Sequence, residues 1–342
     1  MDTIRLDESQ IAQAAAILRA GGLLGIPTET VYGLGASGLD SEAVGRIFQA
    51  KGRPQDNPLI LHIPSADWLE KYCKGIPPAA YALAERFWPG PLTMVLRRAE
   101  MVPDVVTAGL DTVGMRCPAH SLCRTVIAAA GVPVAAPSGN TSGRPSPTTA
   151  EEMLQDMDGK IDAILDGGPC AVGVESTIVD LTGETPRLLR PGGITLEQLE
   201  SVLGHVTVDA AVTEQLKEGE RPRAPGMKYR HYAPKAPVTV VTGEPAQSAA
   251  YIAAHACAGD GVLCFDEYAH LFPGCTVERL GSAERPEEQA RHVFGALRRF
   301  DGTPVSAIWA QCPHSEGMGL AVANRLNKAA GFHIIHAGEG EA

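Results

Sequence analysis

The chain has 342 residues, of which 44% are hydrophobic and 20% charged, with a formal net charge of −11. Its length favours two cores over one, and its composition is that of an ordinary globular protein rather than a disordered or fibrous one. The acidity argues against a broad electrostatic grip on nucleic acid or anionic membrane, and the apolar runs, short and broken by Gly and Pro, cannot span a bilayer.

The opening Met1-Asp2-Thr3-Ile4-Arg5 lacks the basic-then-apolar order of a signal peptide. Ser9 to Ala20 reads as a helix stopped by Gly21, followed by a short buried strand from Leu23 to Ile26. Ser41 caps a helix to about Ala50, and Leu59 to Ile63 is a strand. Residues 65–73 and 78–87 read as helical, 92–96 and 112–116 as strands, 121–130 as a helix, and Pro133 to Ala136 as a strand. Thr149 and Glu152 form a capping box for the next helix. Strands near 161–165, 176–181 and 186–190 and a helix at 195–203 complete a mixed α/β half.

Periodicity weakens after residue 204, and residues 209–224 carry Glu, Lys, Arg and Pro as a linker would. The segment Pro225 to Pro234, with Lys228, Tyr229, Arg230, His231 and Tyr232, is too aromatic and basic for a passive spacer. From Val238 strands and helices alternate to residue 330, the pattern of a smaller parallel α/β domain. The expected division is a first domain over 1–206, a linker over 207–236 and a C-terminal domain over 237–342.

Eight scattered cysteines, with no C-x-x-C and no His at zinc spacing, read as buried thiols of a reducing cytoplasm. Gly33-Leu34-Gly35-Ala36-Ser37-Gly38 matches G-x-G-x-x-G in the wrong context. The preceding strand ends near Ile26 and the next helix starts only at Ser41, so no phosphate would sit on that helix N-terminus. Tight packing of a loop is the better reading of these glycines.

Two segments carry the chemistry. Lys51-Gly-Arg-Pro-Gln-Asp-Asn-Pro-Leu59 puts two cations and an amide on a loop stiffened by Pro54 and Pro58. Ser138-Gly-Asn-Thr-Ser-Gly-Arg-Pro-Ser146 follows an apolar strand with hydroxyls and an amide. Together they describe an anion cradle at the strand ends of an open sheet. Each residue also has a plainer reading. Lys51 and Arg53 fit a solvated helix end, His62 a hydrogen-bonded core histidine, and Arg116 either a fork for a carboxylate or a structural pair with an acid.

Seven strings in this order resemble the threonylcarbamoyl-AMP synthase family, in the form with a YrdC-like catalytic domain and an added C-terminal domain. They are Pro27-Thr-Glu-Thr-Val-Tyr-Gly-Leu-Gly35, Lys51-x-Arg53 with Asn57-Pro-Leu, Pro137-Ser-Gly-Asn-Thr-Ser-Gly143, Glu175-Ser-Thr177, Arg190-Pro-Gly192, Pro225 to Pro234, and Gly317 to Ala330. The resemblance implies a twisted, mixed, open YrdC-like sheet with flanking helices, plus a smaller Rossmann-like α/β domain.

It also implies a reaction: L-threonine, bicarbonate or CO2 and ATP give threonylcarbamoyl-AMP and pyrophosphate, the first step of threonylcarbamoyladenosine modification at tRNA position 37. The implied threonine site falls on Thr30, His62, Arg116, Ala136 and Ser176. The implied ATP site falls on Lys51, Arg53, Asn57, Thr112, Ser138, Asn140, Ser146, Arg190 and Tyr232, with Lys51 and Arg53 catalytic and Mg2+ carried on the ATP phosphates. The implied partner is a downstream tRNA threonylcarbamoyl transferase machinery.

The residue chemistry agrees. Arg116 can fork the threonine carboxylate, while Thr30, His62 and Ser176 suit small polar groups. A carbamate and a triphosphate are both anionic, so their meeting needs clustered cations, and no strong general base stands out. The linker's basic and aromatic residues suit a lid over a labile mixed anhydride. Two other readings remain. An RNA-binding module conflicts with the acidity and lacks an aromatic platform, so direct tRNA contact is disfavoured. A carbamoyl-adenylate former using carbamoyl phosphate, as in hydrogenase maturation, would bring zinc-finger cysteines that this chain lacks.

Overall fold

A computed structural model describes residues 2–214, 224–225 and 231–338. The chain forms two compact units. The first comprises Met1–Ser142, Ser146–Ala171 and Glu175–Lys228; the second comprises Gly143–Pro145, Val172–Val174 and Tyr229–Ala342.

Among the described residues the first unit holds eleven strands: β1 (Ile4–Leu6), β2 (Leu24–Ile26), β3 (Gly33–Ser37), β4 (Ile60–His62), β5 (Leu92–Arg97), β6 (Thr112–Arg116), β7 (Val134–Ala135), β8 (Ala163–Leu165), β9 (Thr177–Asp180), β10 (Arg187–Arg190) and β11 (Thr207–Val208). They hydrogen-bond into one mixed sheet in the order β1-β8-β2-β3-β7-β4-β6-β5-β9-β10-β11. The β4–β6 and β5–β9 pairs are parallel, whereas β5–β6, β4–β7 and β3–β7 are antiparallel. Buried aliphatics cover the sheet on both faces, with Leu61, Met94 and Met115 in one cluster and Leu24, Ile26 and Val134 in another.

Three expectations change. Gly33–Ser37 is not a packing loop but the fully buried strand β3. Its glycines are there because neighbouring strands crowd them: a Cβ on Gly35 would lie 2.8 Å from Val134 Cγ1, and one on Gly38, just beyond, 2.5 Å from Leu61 Cδ2. Residues from 207 are not all linker. Thr207–Val208 adds parallel to β10, and Ala211 and Ala224 are buried against Ile60, Val95, Ile178 and Leu189. The capping box is only half formed. Thr149 accepts from the Glu152 N–H, but the Glu152 carboxylate turns to the Thr148 N–H at 2.6 Å.

The second unit carries β12 (Val238–Thr242), β13 (Gly261–Cys264), β14 (Thr276–Arg279), β15 (Ile308–Gln311) and β16 (Ile334–His336). All pairs are parallel, in the order β14-β13-β15-β12-β16. The helices Pro245–His255, Pro286–Phe300 and Gly317–Ala329 connect them, as the alternating pattern requires. No helix of the described residues is long and apolar enough to cross a membrane.

Candidate active site

The helix Ser41–Lys51 starts at Asp40, whose carboxylate accepts from the N–H groups of Glu42 and Ala43. Its buried stripe is Ala43, Val44, Ile47, Phe48 and Lys51, at helical spacing, so Lys51 falls on the core-facing side. Gly52, at φ +61°, then ends the helix in the left-handed region. Lys51 is therefore not a solvated helix end; it is 1% exposed. Its ammonium donates to the carbonyls of Ser138 and Asn140, the latter at 2.6 Å, and lies 3.4 Å from Asn140 Oδ1. The Ser138 hydroxyl donates to the same Oδ1, and the Ser142 N–H bonds the Lys51 carbonyl at 2.9 Å. The two polar segments are thus tied together around one cation.

Downstream, Arg53 Nη2 lies 3.5 Å from the Pro58 carbonyl. Asn57 is fully buried, and neither end of its amide has a hydrogen-bond partner. Buried amides are almost always satisfied, so an orphaned one marks a place where a ligand would supply the partner.

A second group lies across the sheet. Arg116 is opposite His62 of β4 on one side and Thr93 of β5 on the other. Residues in register share a face, so the three side chains form one row. The Thr93 and Ser176 hydroxyls are 2.8 Å apart, and Arg190 donates Nε and Nη2 to the Ser176 carbonyl at 3.0 and 2.9 Å. Two residues along the same face, Gly114 borders a small cleft of about 10 Å3 lined by Pro58, Ile60, Thr93, Thr112, Ala224 and Pro225. Arg190 Nη1 lies 3.4 Å from the Pro225 carbonyl, which places that guanidinium at the cleft edge.

Charge is concentrated here. Arg116 Nη2 donates to Glu29 Oε1 at 2.7 Å, both side chains being buried, while Arg116 Nε has no partner. Burial first, and then the Arg116 charge, push the His62 pKa down to about 3, so the imidazole is neutral at physiological pH. Its Nδ1 is buried and without a partner. Thr30 is fully buried beside Thr28, their hydroxyls 2.8 Å apart. Ser146 donates its hydroxyl to Glu175. The Ala136 N–H bonds the Ile60 carbonyl at 3.0 Å.

Tyr232 belongs to the second unit, where its ring lies 5.0 Å from that of Phe294 and under the Arg325 guanidinium at 5.7 Å. Lys228, Tyr229 and Arg230 lie outside the described residues. Six of the eight cysteines are buried and two are not, Cys257 being exposed and Cys275 half-buried. Burial pushes Cys73, Cys123, Cys264 and Cys312 up to about 12 and Cys117 up to about 11, so none of these thiols is poised as a nucleophile. Among the described residues no group of three or more His, Cys, Asp and Glu gathers to hold a metal.

Sequence reasoning assigns no role to Glu29 or Thr93 and places Ala224 and Pro225 only within the linker. Glu29 stands within a quoted string, but nothing in the spacing pairs it with residue 116. Thr93 looks like any alternating strand residue until its register with Arg116 is known.

Residues 16–192 match the Sua5/YciO/YrdC family, described as Telomere recombination, and residues 194–331 match the Threonylcarbamoyl-AMP synthase C-terminal domain. The chain is 48% identical to the Threonylcarbamoyl-AMP synthase of Pyrococcus abyssi, with 97% of each covered. It belongs to the threonylcarbamoyl-AMP synthase family. It is also 45% identical to the Bacillus subtilis member of that family, covering 98% of this chain and 96% of the other. The crystal structure of Pyrococcus abyssi Sua5 complexed with L-threonine matches at TM-score 0.89 and 46% identity, over 98% of this chain and 99% of that one. The mixed sheet with a second parallel sheet is therefore the family fold.

Proposed function

We infer that the chain makes threonylcarbamoyl-AMP and pyrophosphate from L-threonine, bicarbonate or CO2 and ATP. One observation carries this reading: a buried guanidinium with an unpartnered Nε–H, beside a neutral imidazole, on the sheet face that also opens the cleft. Such a pair suits a small amino acid with a carboxylate and a hydroxyl, and a solved relative binds L-threonine.

In this reading Arg116 takes the threonine carboxylate by charge-assisted hydrogen bonds. His62 and Thr30 meet the hydroxyl, and Ser176 and the Ala136 backbone complete the pocket. The neutral amine attacks CO2, supplied directly or by dehydration of bicarbonate, and releases a proton to solvent to give a carbamate. The carbamate oxygen then bonds to the α-phosphorus, the bond to the bridging oxygen breaks, and pyrophosphate leaves. ATP enters as its magnesium complex, the ion being part of the substrate.

Arg53 and Arg190 offset the charge of the two anions. Asn57, Thr112, Ser138, Asn140 and Ser146 position the triphosphate and adenosine. Lys51 holds the Ser138 loop in shape and keeps a positive charge beneath it, so its role is preorganisation. The segment at Ala224-Pro225 lies at the cleft and shields it from water. The product then goes to a transferase acting on tRNA.

The test supplies ATP with threonine and bicarbonate in one arm and ATP with carbamoyl phosphate in the other, with products identified by mass. The inference requires threonylcarbamoyl-AMP in the first arm. Carbamoyl-AMP in the second and nothing in the first would overturn it.

A further inference from the structure

Glu29 is the carboxylate beside the guanidinium read above as the threonine anchor, and no role has been attached to it. It lies on the β2–β3 connection, where Thr28 to Tyr32 are all buried. That connection is braced. The Thr28 hydroxyl donates to the Val31 carbonyl at 2.6 Å and accepts the N–H groups of Thr30 and Val31 at 3.1 and 3.2 Å. The Tyr32 hydroxyl donates to the Gly168 carbonyl at 2.7 Å. The Glu29 carboxylate is consequently held at both oxygens: Oε1 accepts from Arg116 Nη2 at 2.7 Å and Oε2 from the Ala119 N–H at 2.9 Å. Only a small part of either charged side chain is exposed.

An arginine at the end of a strand has several rotamers open to it, and ordering it during binding would cost affinity. Here one guanidinium nitrogen is tied down before any ligand arrives. The buried Nε–H, which has no partner, is left for a ligand.

We propose that Glu29 is a positioning residue for threonine recognition, fixing the Arg116 guanidinium so that its free N–H edge meets the amino-acid carboxylate. This rests on the reading of Arg116 as the threonine anchor. Glutamine at position 29 could still accept from Arg116 through Oε1. Its amide would then face the Ala119 N–H donor to donor, and the clamp would open. Aspartate would keep the charge but fall short by one methylene.

The experiment measures KM for threonine, KM for ATP and kcat in Glu29→Gln, Glu29→Asp, Arg116→Lys and Glu29→Gln/Arg116→Lys, with calorimetric threonine binding as a check independent of turnover. Glu29→Gln should raise the threonine KM about tenfold or more, the size expected for losing an aligned charge-assisted bond, with little change in the ATP KM. Glu29→Asp should recover part of the loss. In the Arg116→Lys background the Glu29→Gln change should add little, because the two act through one contact.

An unchanged threonine KM in Glu29→Gln beside a raised one in Arg116→Lys would overturn the proposal and leave the anchor intact. So would a parallel rise in both KM values, the mark of a merely structural role. An unchanged threonine KM in Arg116→Lys would overturn the anchor itself.

Discussion

The Lys51 ammonium donates to the main-chain carbonyls of Ser138 and Asn140, so a helix end and a loop 87 residues further on share one buried cation. Replacing Lys51 by Met leaves these carbonyls without their donor, at about 1–3 kcal/mol for each group left unsatisfied. The loop that would meet the triphosphate then loses its fixed shape. Pyrophosphate release should fall about 10²-fold or more, the size seen when one preorganised donor is removed. A thermal melt and a turnover assay on the same preparation check both effects, and near-normal turnover would contradict the role given to Lys51.

Asn57 is a stability cost that a ligand's donor and acceptor would offset. Its amide is fully buried with no partner at either end. Asn57→Leu, close to it in volume and without polar atoms, should raise the melting temperature of the ligand-free protein while raising the KM for ATP. Calorimetry and initial rates test the pair of effects. A lower melting temperature with an unchanged ATP KM would show that Asn57 serves packing instead.

The buried His62 makes stability depend on pH. Its native pKa is lowered to about 3, chiefly by burial and then by Arg116, whereas in the unfolded chain it returns to about 6.5. Between these values the unfolded chain binds a proton that the native state refuses. Stability contributed by neutral His62 is therefore present above about pH 6.5 and lost as pH falls towards about 3, at up to about 1.4 kcal/mol per pH unit. Urea unfolding across that window should show a flatter loss in His62→Gln than in the wild type. Equal slopes would contradict a neutral His62.

Ala224 packs with Ile60, Val95, Ile178, Leu189 and Ala211 and lines the cleft. Ala224→Asp places an unpaired charge in that cluster, at several kcal/mol if it stays buried, so the segment should lift away. We expect a raised ATP KM and more pyrophosphate released than threonylcarbamoyl-AMP recovered, because water then reaches the mixed anhydride. Unchanged coupling between the two products would mean that this segment does not shield the site.

Local chemistry was legible in the sequence; register was not. The helix Pro78–Phe87 has Pro at its first position, and Ser121–Ala130 ends at Gly131 in the left-handed region, so both read directly from their caps. The strand β6 follows from its alternation. By contrast Gly33–Ser37 reads as a loop because glycines depress strand propensity, and only contact with Val134 and Leu61 explains why nothing larger fits. The plainer reading of Lys51 as a solvated helix end rests on a cation suiting a helix C-terminus, yet Val44, Ile47 and Phe48 at helical spacing already placed it on the buried face. The Glu29–Arg116 pair was beyond reach. It joins residues 87 apart in sequence, and no local rule links them.

The reading as a whole turns on whether threonine is what the cleft activates against ATP. The most direct measurement is pyrophosphate release from ATP in bicarbonate buffer, with and without L-threonine. The account predicts release only when threonine is present, with threonylcarbamoyl-AMP formed in step, and its loss in Arg116→Lys at threonine concentrations that saturate the wild type. Release that ignores threonine, or threonine-dependent release untouched by Arg116→Lys, would contradict it.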